Sequence, residues 1–386
     1  MNVPQFQSNS VHIGFIGDLI QSPELKVDPR LRERLRSTDF NVANLEAPFI
    51  DTTCRPLNGR SGVHQRRNDC AVLHDLNIHA VSLANNHMPD FGGEGIRLTR
   101  GRLAAEGIAA FGAGMNRAEA MQPAEIETAM GRFAFWGFMF NLSLRRFGFA
   151  TLDKPGVAEF QPANASLGES NAAHKIVFNH WHQEFEDYPE PLFKEQGRRL
   201  LERCALIVGS HPHCVHGIEM HLGKYIFHSL GNFSMPRAQY LNCQVGLYRG
   251  KKSYQGFVPI VEFNRTGVER FSIVPYSIDP TGTQISLMPP EEEQAFRAKL
   301  ETLSDPLTLE EAAYRRFYRR HKIRPLRFTL SRSPLLNKVL SELFLLFAQA
   351  MRLLELATVT SLEVLGIRQF VRSRFRRVID QIYLWR

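Results

Sequence analysis

Short apolar runs that end in polar residues recur through the first 230 residues of the chain. Residues 11–18 end in Gly-Asp, residues 40–46 end in Asn-Leu-Glu, and residues 79–87 end in Asn-Asn-His. Two later runs, 176–178 and 206–208, lead into histidine-rich segments. Short runs of β-branched and apolar residues between turn residues are typical of buried strands. The pattern therefore predicts five strands that carry polar side chains at their ends.

Segments with helical spacing separate several of these strands. Residues 92–106 have such spacing and are followed by Gly107, a C-cap signal. Residues 191–204 begin with proline and place their apolar side chains near one face. Alternating strands and helices favour the α/β class. Between 224 and 276 the strand-like runs continue without clear helices, which predicts an antiparallel portion or a second sheet that closes the domain.

The pattern changes again after residue 288. Residues 291–321 and 335–382 show helical spacing, and the second stretch interleaves arginines with apolar residues. A basic amphipathic helix of this kind either lies on an anionic membrane surface or packs on the core with its arginines in solvent. We expect a first domain over 1–288 and a basic helical region over 289–386.

Charge is concentrated at the C-terminal end. From residue 311 onward the chain has 16 Lys and Arg against 5 Asp and Glu, whereas the rest has 31 against 34. The positive charge behind the net value of +8 therefore lies at this end of the chain and says little about the substrate. The arginines come without an aromatic platform motif, so we expect no nucleic-acid partner.

Cysteine usage and the first residues bear on location. The five cysteines show no C-x-x-C spacing, which favours reduced thiols over a disulfide framework. Residues 1–10 lack the features of a secretory signal, and no run of about 18 apolar residues predicts a spanning helix. We expect a cytoplasmic protein, or one peripheral on the inner face of the membrane.

Histidines supply the candidate chemistry. Eight of the fourteen lie between His174 and His228, most of them in the clusters 179–184 and 209–216. Strand ends in α/β proteins converge on one crevice, and imidazole is the commonest metal ligand. With carboxylates from the earlier strand ends, the set suits Mn, Fe or Zn.

The motifs at these strand ends, in this order, resemble the CapA family of capsule and poly-gamma-glutamate biosynthesis proteins over about residues 11–233. They are Gly17-Asp18, Asn44-Leu45-Glu46, Ala84-Asn85-Asn86-His87 with Asp90-Phe91-Gly92, Gly107-Ile108 with Gly112-Ala113-Gly114, His180-Trp181 with Glu184, Gly209-Ser210-His211-Pro212-His213, and Ser229-Leu230-Gly231-Asn232-Phe233. The family is similar to calcineurin-like metallophosphoesterases. The resemblance implies a two-sheet α-β-β-α sandwich of the α/β class with a dinuclear centre, followed here by the helical extension.

The resemblance also implies roles for individual residues. The metal ligands would be Asp18, Glu46 at the bridging position, Asn86, His180, His211 and His213. His87 would protonate the leaving group, or would serve as an N-cap or turn residue before the helix near Gly92. Four more residues would support the ligands or contact substrate, namely Asn85, His182, Glu184 and Asn232. Glu184 orients His180 or lies at the surface, and Asn232 closes the site or only forms a turn.

Three departures concern the number of metals. The phosphoesterase pattern has a histidine two residues after its first aspartate, where this chain has Ile20. The glycine usual in the family after His-Trp is His182, and Glu46 is longer than an aspartate. The chain would hold one or two divalent ions.

Three function classes remain open. The retained ligand types favour a metal-dependent hydrolase that acts on a phosphoester or an anionic polymer of the cell envelope. Ile20 and the association of the family with polymer synthesis keep a non-hydrolytic, membrane-associated assembly or export factor as the alternative. A peripheral membrane protein whose basic end docks a partner complex is the third.

Overall fold

A computed structural model describes residues 9–57, 60–140, 148–161, 167, 170–236 and 251–322. All of these residues lie in one compact unit with a mixed α/β fold. The predicted helix over 335–382 lies outside the described residues.

The strands of this unit number seventeen within the described ranges. They are β1 (Val11–Leu19), β2 (Lys26–Val27), β3 (Phe40–Leu45), β4 (Ile78–Ser82), β5 (Ala109–Phe111), β6 (Ala113–Gly114), β7 (Ala124–Thr128), β8 (Gly131–Met139), β9 (Gly156–Val157), β10 (His174–His180), β11 (Leu206–Ser210), β12 (Ile218–His221), β13 (Lys224–Phe227), β14 (Asn232–Ser234), β15 (Gln255–Asn264), β16 (Gly267–Ile278) and β17 (Gln284–Leu287).

The α-helices are fewer and mostly follow strands. They are α1 (Pro29–Arg36), α2 (Ala71–Asp75), α3 (Gly92–Ala105), α4 (Arg117–Ala120), α5 (Pro191–Leu201), α6 (Pro290–Ser304) and α7 (Glu311–His321). Short 3-10 helices cover Met88–Phe91, Lys251–Tyr254 and Asp305–Thr308. Proline begins α1 and α5, where its fixed φ suits the first helical turn and its missing N–H would have no partner in the helix.

The larger sheet has the order β2-β17-β16-β15-β1-β3-β4-β5, with β14 also paired to β1. Strands β1, β3, β4 and β5 run parallel, so their carboxyl ends meet at one edge. Strands β15 and β16 are antiparallel and extend this sheet next to β1. The antiparallel portion predicted between 224 and 276 is therefore confirmed for these two strands.

The second sheet has the order β12-β13-β11-β10-β8-β7. Its central strands β8, β10, β11 and β13 run parallel, and His180 at the end of β10 pairs with Ser210 at the end of β11. The histidine-bearing strands are thus neighbours, which places their following loops side by side.

Both sheets contribute side chains to one buried cluster. Phe15 and Val42 of the larger sheet belong to it together with Phe135, Phe178 and Val208 of the second sheet. Burial of large apolar side chains of this kind contributes roughly 1.5–3 kcal/mol each. This shared core fixes the relative positions of the strand ends.

Helices pack against both sheets. Leu31 of α1 and Leu103 of α3 pack with residues of the larger sheet, and Leu200 of α5 packs with residues of the second. Helix α6 contributes Phe296 and Leu300 to the cluster that both sheets share. Helices α6 and α7, which the sequence assigned to the C-terminal region, therefore belong to this compact unit. The division of the whole chain after residue 288 stays a prediction.

No helix in the described ranges has the length and apolar character that crossing a membrane requires. The four cysteines in these ranges, Cys54, Cys70, Cys204 and Cys214, are free.

Candidate metal centre

The ends of four strands bring the predicted ligands together. Asp18 is the second-last residue of β1 and Glu46 directly follows β3, while His180 ends β10. His211 and His213 follow β11 within three residues. All five side chains are buried, although polar groups of this kind usually lie in solvent. Burial of so many ionisable groups needs partners that offset the loss of water.

Two groups of donor atoms form at this point. One ligand atom from each of Asp18, Glu46 and His180 lies within 4.8 Å of the others, and the same holds for Glu46, His211 and His213. Glu46 belongs to both groups. It therefore occupies the place that a bridging carboxylate would take between two ions.

Two atoms of this cluster that could bind a metal have no hydrogen-bond partner. Glu46 Oε1 and His211 Nδ1 are both buried and unpaired. A buried polar atom without a partner costs about 1–3 kcal/mol, so such atoms are rare in native proteins. A divalent cation would satisfy both, and a mixed set of carboxylates and imidazoles suits Mn, Fe or Zn. The residues present therefore fit a metal site.

Asn44 holds the two carboxylates in place. Its Nδ2 donates to Asp18 Oδ1 at 2.7 Å and also to Glu46 Oε2. Asn85 Nδ2 in turn donates to Asn44 Oδ1 at 3.1 Å and to the carbonyl of Leu45 at 2.8 Å. Asn85 thus supports Asn44, which in turn supports the two carboxylates. Asn44 belongs to the Asn-Leu-Glu motif, but the motif alone did not predict this role.

His180 is oriented by Ser210. The hydroxyl of Ser210 lies 3.1 Å from His180 Nδ1, and His180 Nε2 lies 2.9 Å from Asn86 Oδ1 and 3.7 Å from Glu46 Oε1. The sequence offered Glu184 for this orienting role. Ser210 contacts His180 because parallel pairing sets that residue directly beside it, and the orienting role of Glu184 stays a prediction.

His213 interacts with Asp18 and Asn232. Its Nδ1 lies 3.2 Å from Asp18 Oδ2 and 2.9 Å from Asn232 Oδ1. Tyr276 fixes Asn232 by donating its hydroxyl to the Asn232 carbonyl at 2.8 Å. Asn232 therefore contacts a proposed ligand, in addition to any turn role.

Burial sets the protonation of the cluster. Burial, together with the neighbouring histidines, lowers the pKa of His180 and of His211 well below the usual range. Burial and the charge of Asp18 raise the pKa of Glu46 well above its usual value. Burial lowers the pKa of His213, but the Asp18 hydrogen bond and charge outweigh it, so the pKa is raised. Neutral imidazoles at His180 and His211 have the lone pairs that metal ligands need.

His87 lies beside this cluster and is held by an acid. It occupies the N-cap position of the 3-10 helix at Met88–Phe91, but its side chain makes no capping bond. Its Nδ1 lies 3.2 Å from Asp90 Oδ2 and 3.1 Å from the Ser61 hydroxyl, which itself donates to Asp90 at 2.6 Å. Asp90 and Ser61 therefore restrain the orientation of the imidazole. The motif that contains Asp90 did not by itself predict this contact.

Two positions at which the chain departs from the family pattern belong to neither donor group. His182 is fully buried and its Nε2 lies 3.2 Å from His228 Nδ1, so it contributes to neither donor group. Ile20 is fully buried in an apolar cluster with Ala47, Val63 and Met235. The place where the phosphoesterase pattern has a histidine is therefore apolar.

Comparison with known proteins identifies the family of the chain. Residues 25–237 match a family model described as bacterial capsule synthesis protein PGA_cap. The chain belongs to this family. The matched range of the PGA_cap model contains Glu46, Asn86 and all the histidines of the cluster, while Asp18 precedes it.

Curated relatives carry CapA names. The PGA biosynthesis protein CapA of Bacillus subtilis (strain 168) is 29% identical over 205 residues, which are 51% of this chain and 53% of that protein. The capsule biosynthesis protein CapA of Bacillus anthracis is 25% identical over 211 residues, 52% of this chain and 51% of that protein. The chain thus spans about half the length of the curated relatives that it matches.

A solved structure also aligns with this one. The NAD nucleotidase NadN of Haemophilus influenzae has 12% sequence identity and a TM-score of 0.40, covering 81% of this chain and 60% of that chain. At that TM-score we draw nothing from the likeness.

Proposed function

We propose that this CapA-family chain is a metal-dependent hydrolase of capsule or poly-gamma-glutamate biosynthesis, acting on a phosphoester or on the anionic polymer. Its fold would be the two-sheet sandwich of the metallophosphoesterase type. The observation that carries the proposal is that two buried atoms able to bind a metal, Glu46 Oε1 and His211 Nδ1, have no hydrogen-bond partner. Both residues belong to the three-residue groups of potential ligands. The names of the curated relatives support the link to an envelope polymer.

The ligand set follows from the side chains that converge. Asp18, Glu46, Asn86, His180, His211 and His213 would hold one or two ions of Mn, Fe or Zn. A bound ion of this kind lowers the pKa of a coordinated water towards neutrality and polarises the scissile bond. Glu46, shared by both donor groups, would be the bridging ligand.

His87 would supply a proton to the leaving group. Asp90 and Ser61 hold its Nδ1 through contacts of 3.2 and 3.1 Å, which restricts the rotation of the ring. A positioned general acid contributes about 10²–10⁴-fold to a rate. Asp90 would act as the positioning residue for this acid.

A second candidate is a non-hydrolytic factor that assembles or exports the polymer. The observation in its favour is Ile20, whose apolar cluster removes one ligand that a two-ion hydrolase uses. In either role the protein would be cytoplasmic or peripheral on the inner membrane face, with the basic C-terminal region against anionic lipid. We propose no nucleic-acid partner.

A substrate panel tests the hydrolase proposal. Purified protein, first treated with chelator and then supplied with Mn²⁺ or Zn²⁺, is assayed on phosphomonoesters, phosphodiesters and poly-gamma-glutamate. The proposal expects hydrolysis of one class that chelator abolishes and that His87→Asn lowers without loss of bound metal. Metal-loaded protein that leaves every class intact would favour the assembly factor.

A further inference from the structure

A chain of buried polar side chains lies next to the metal centre but outside both donor groups. His182, His228 and Glu219 are at most 2% exposed. His182 Nε2 lies 3.2 Å from His228 Nδ1, and His228 Nε2 lies 2.7 Å from Glu219 Oε2. Glu219 Oε1 faces the ammonium group of Lys194 at 3.2 Å and the guanidinium group of Arg198. The contacts form one continuous path from the loop after β10 to strand β12.

One arrangement of protons satisfies every member of this path. An ionised carboxylate only accepts, so His228 Nε2 must donate to Glu219. His228 Nδ1 then accepts from His182 Nε2. His182 Nδ1 accepts the backbone N–H of Glu190 at 3.3 Å, at the start of α5. Both imidazoles are therefore fixed in tautomer and in orientation.

The backbone of His182 shows why this restraint is needed. Its φ is 68°, in the left-handed region that non-glycine residues rarely adopt. Such a conformation persists when surrounding contacts hold it. Bonds from both ring nitrogens of His182 provide that hold.

Trp181 connects this path to the proposed ligands. It lies between His180 and His182 in sequence, and its Nε1 donates to the carbonyl of His228 at 2.8 Å. The Trp181 ring also stacks on the His228 ring, with centroids 5.4 Å apart. The Trp181 backbone N–H donates to the Ser210 carbonyl at 3.1 Å, directly before His211. Whatever fixes Trp181 therefore fixes the two strand ends that carry His180 and His211.

Close packing leaves Trp181 little freedom. A Cβ added at Gly197 of α5 would lie 2.8 Å from the Trp181 ring, and one added at Gly209 of β11 would collide with its Nε1. The indole is thus enclosed by α5, β11 and His228. A shift of His182 or His228 would be passed to the ligand strands through Trp181.

We infer that His182, anchored by His228 and Glu219 and acting through Trp181, is a positioning residue that orients His180 and His211 for metal binding. The inference rests on the proposed metal centre. It assigns a role to the position where the family usually has glycine, since a glycine would tolerate the left-handed backbone but would make no contact with His228.

Zinc affinity and ring geometry test the inference on the full-length protein. His182→Gly removes the ring and relieves the backbone, and His182→Gln keeps a donor near the place of Nε2. His221→Gln, on the same strand as Glu219, is the matched control. We expect His182→Gly to weaken Zn²⁺ binding in a competition titration by about 10-fold or more, as loss of an outer hydrogen-bond partner does. His182→Gln should restore most of the affinity, and the control should not change it.

A purely structural role would give a different result. The unfolding midpoint of His182→Gly would fall while its Zn²⁺ affinity stayed that of the wild type, which overturns the inference. Should His182→Gly fail to fold, His228→Gln takes its place, because its amide can donate to Glu219 while no acceptor remains at the position of Nδ1, which faces His182.

A metal-free measurement separates this inference from the proposed function. Long-range ¹H–¹⁵N spectra of histidine-labelled protein report the tautomer and surroundings of His180 and His211. We expect His182→Gly to shift both rings before any metal is added. Unchanged rings overturn the positioning role even if the protein binds zinc. Shifted rings in a protein that binds none of Mn²⁺, Fe²⁺ and Zn²⁺ support the coupling of His182 to both rings and overturn the hydrolase proposal.

Discussion

Replacing Glu46 by glutamine should stabilise the metal-free protein and remove its response to metal. Glu46 is fully buried, its Oε1 has no partner, and the nearby carboxylate of Asp18 has the same sign. An unpartnered buried acceptor costs about 1–3 kcal/mol, and more when it is charged. Glutamine cannot ionise, and its side-chain amide adds a donor that can reach Asp18. We expect the metal-free free energy of unfolding at pH 7 to rise by about 1–3 kcal/mol.

Metal should reverse the order of stability. A ligand that binds the folded state alone stabilises it by about 4.1 kcal/mol at a thousandfold excess over its Kd. The wild type should gain this amount with Mn²⁺ or Zn²⁺, whereas Glu46→Gln should gain little. Denaturant titrations with chelator and with metal measure both values. A variant that is less stable than the wild type without metal, or that gains as much from metal, would refute the reasoning.

Glu219→Gln is a matched control for which we expect a change in stability of the opposite sign. Glu219 is equally buried, but Lys194, Arg198 and His228 surround it. Burial raises its pKa, yet these partners outweigh burial and bring the pKa to about 2. Breaking a buried pair leaves uncompensated charge, so Glu219→Gln should destabilise by about 3–5 kcal/mol.

The contributions of Glu46 and Glu219 to folding stability should also depend on pH in opposite directions. The folded pKa of Glu46 is raised, so its contribution to stability is present below the usual glutamate pKa and is lost as pH rises. The folded pKa of Glu219 is lowered, so its contribution is present above the usual value and is lost as pH falls towards about 2. Unfolding measured across pH in chelator, for each variant against the wild type, shows both slopes.

Three further predictions concern other parts of the chain. His87→Asn should lower the hydrolytic rate by about 10²–10⁴-fold with unchanged metal content; a smaller loss would exclude it as the general acid. Ile20→His should cost about 1–3 kcal/mol without metal, because it buries a polar ring, and should raise the metal-to-protein ratio; an unchanged ratio would show that Ile20 does not limit metal binding. Removal of residues 325–386 should release the protein from anionic vesicles in a sedimentation assay, whereas equal sedimentation would leave the basic end without a membrane role.

The strands and their ends could be predicted because their signal is local. A short apolar run that ends at Asp18, Glu46 or His180 is visible within a few residues, and the parallel strands within each sheet deliver such residues to one edge. The sheet order could not be read in this way, because the pairing of β15 with β1 joins segments far apart in sequence.

The partners that orient the site were harder to predict. Ser210 faces His180 because of strand register, and Ser61 reaches Asp90 across 29 residues from a loop without periodicity. No local pattern marks either contact. No local pattern marks the contact of His228 with Glu219 either, since it depends on the pairing of two neighbouring strands.

Metal content measures the central claim most directly. Elemental analysis of purified wild-type protein, alongside Asp18→Ala and His211→Ala, gives the number of divalent ions per chain. We predict at least one equivalent of Mn, Fe or Zn in the wild type and its loss in both variants, with the fold retained. A wild type without stoichiometric metal, or variants that keep full occupancy, would contradict the assignment of this cluster as a metal centre.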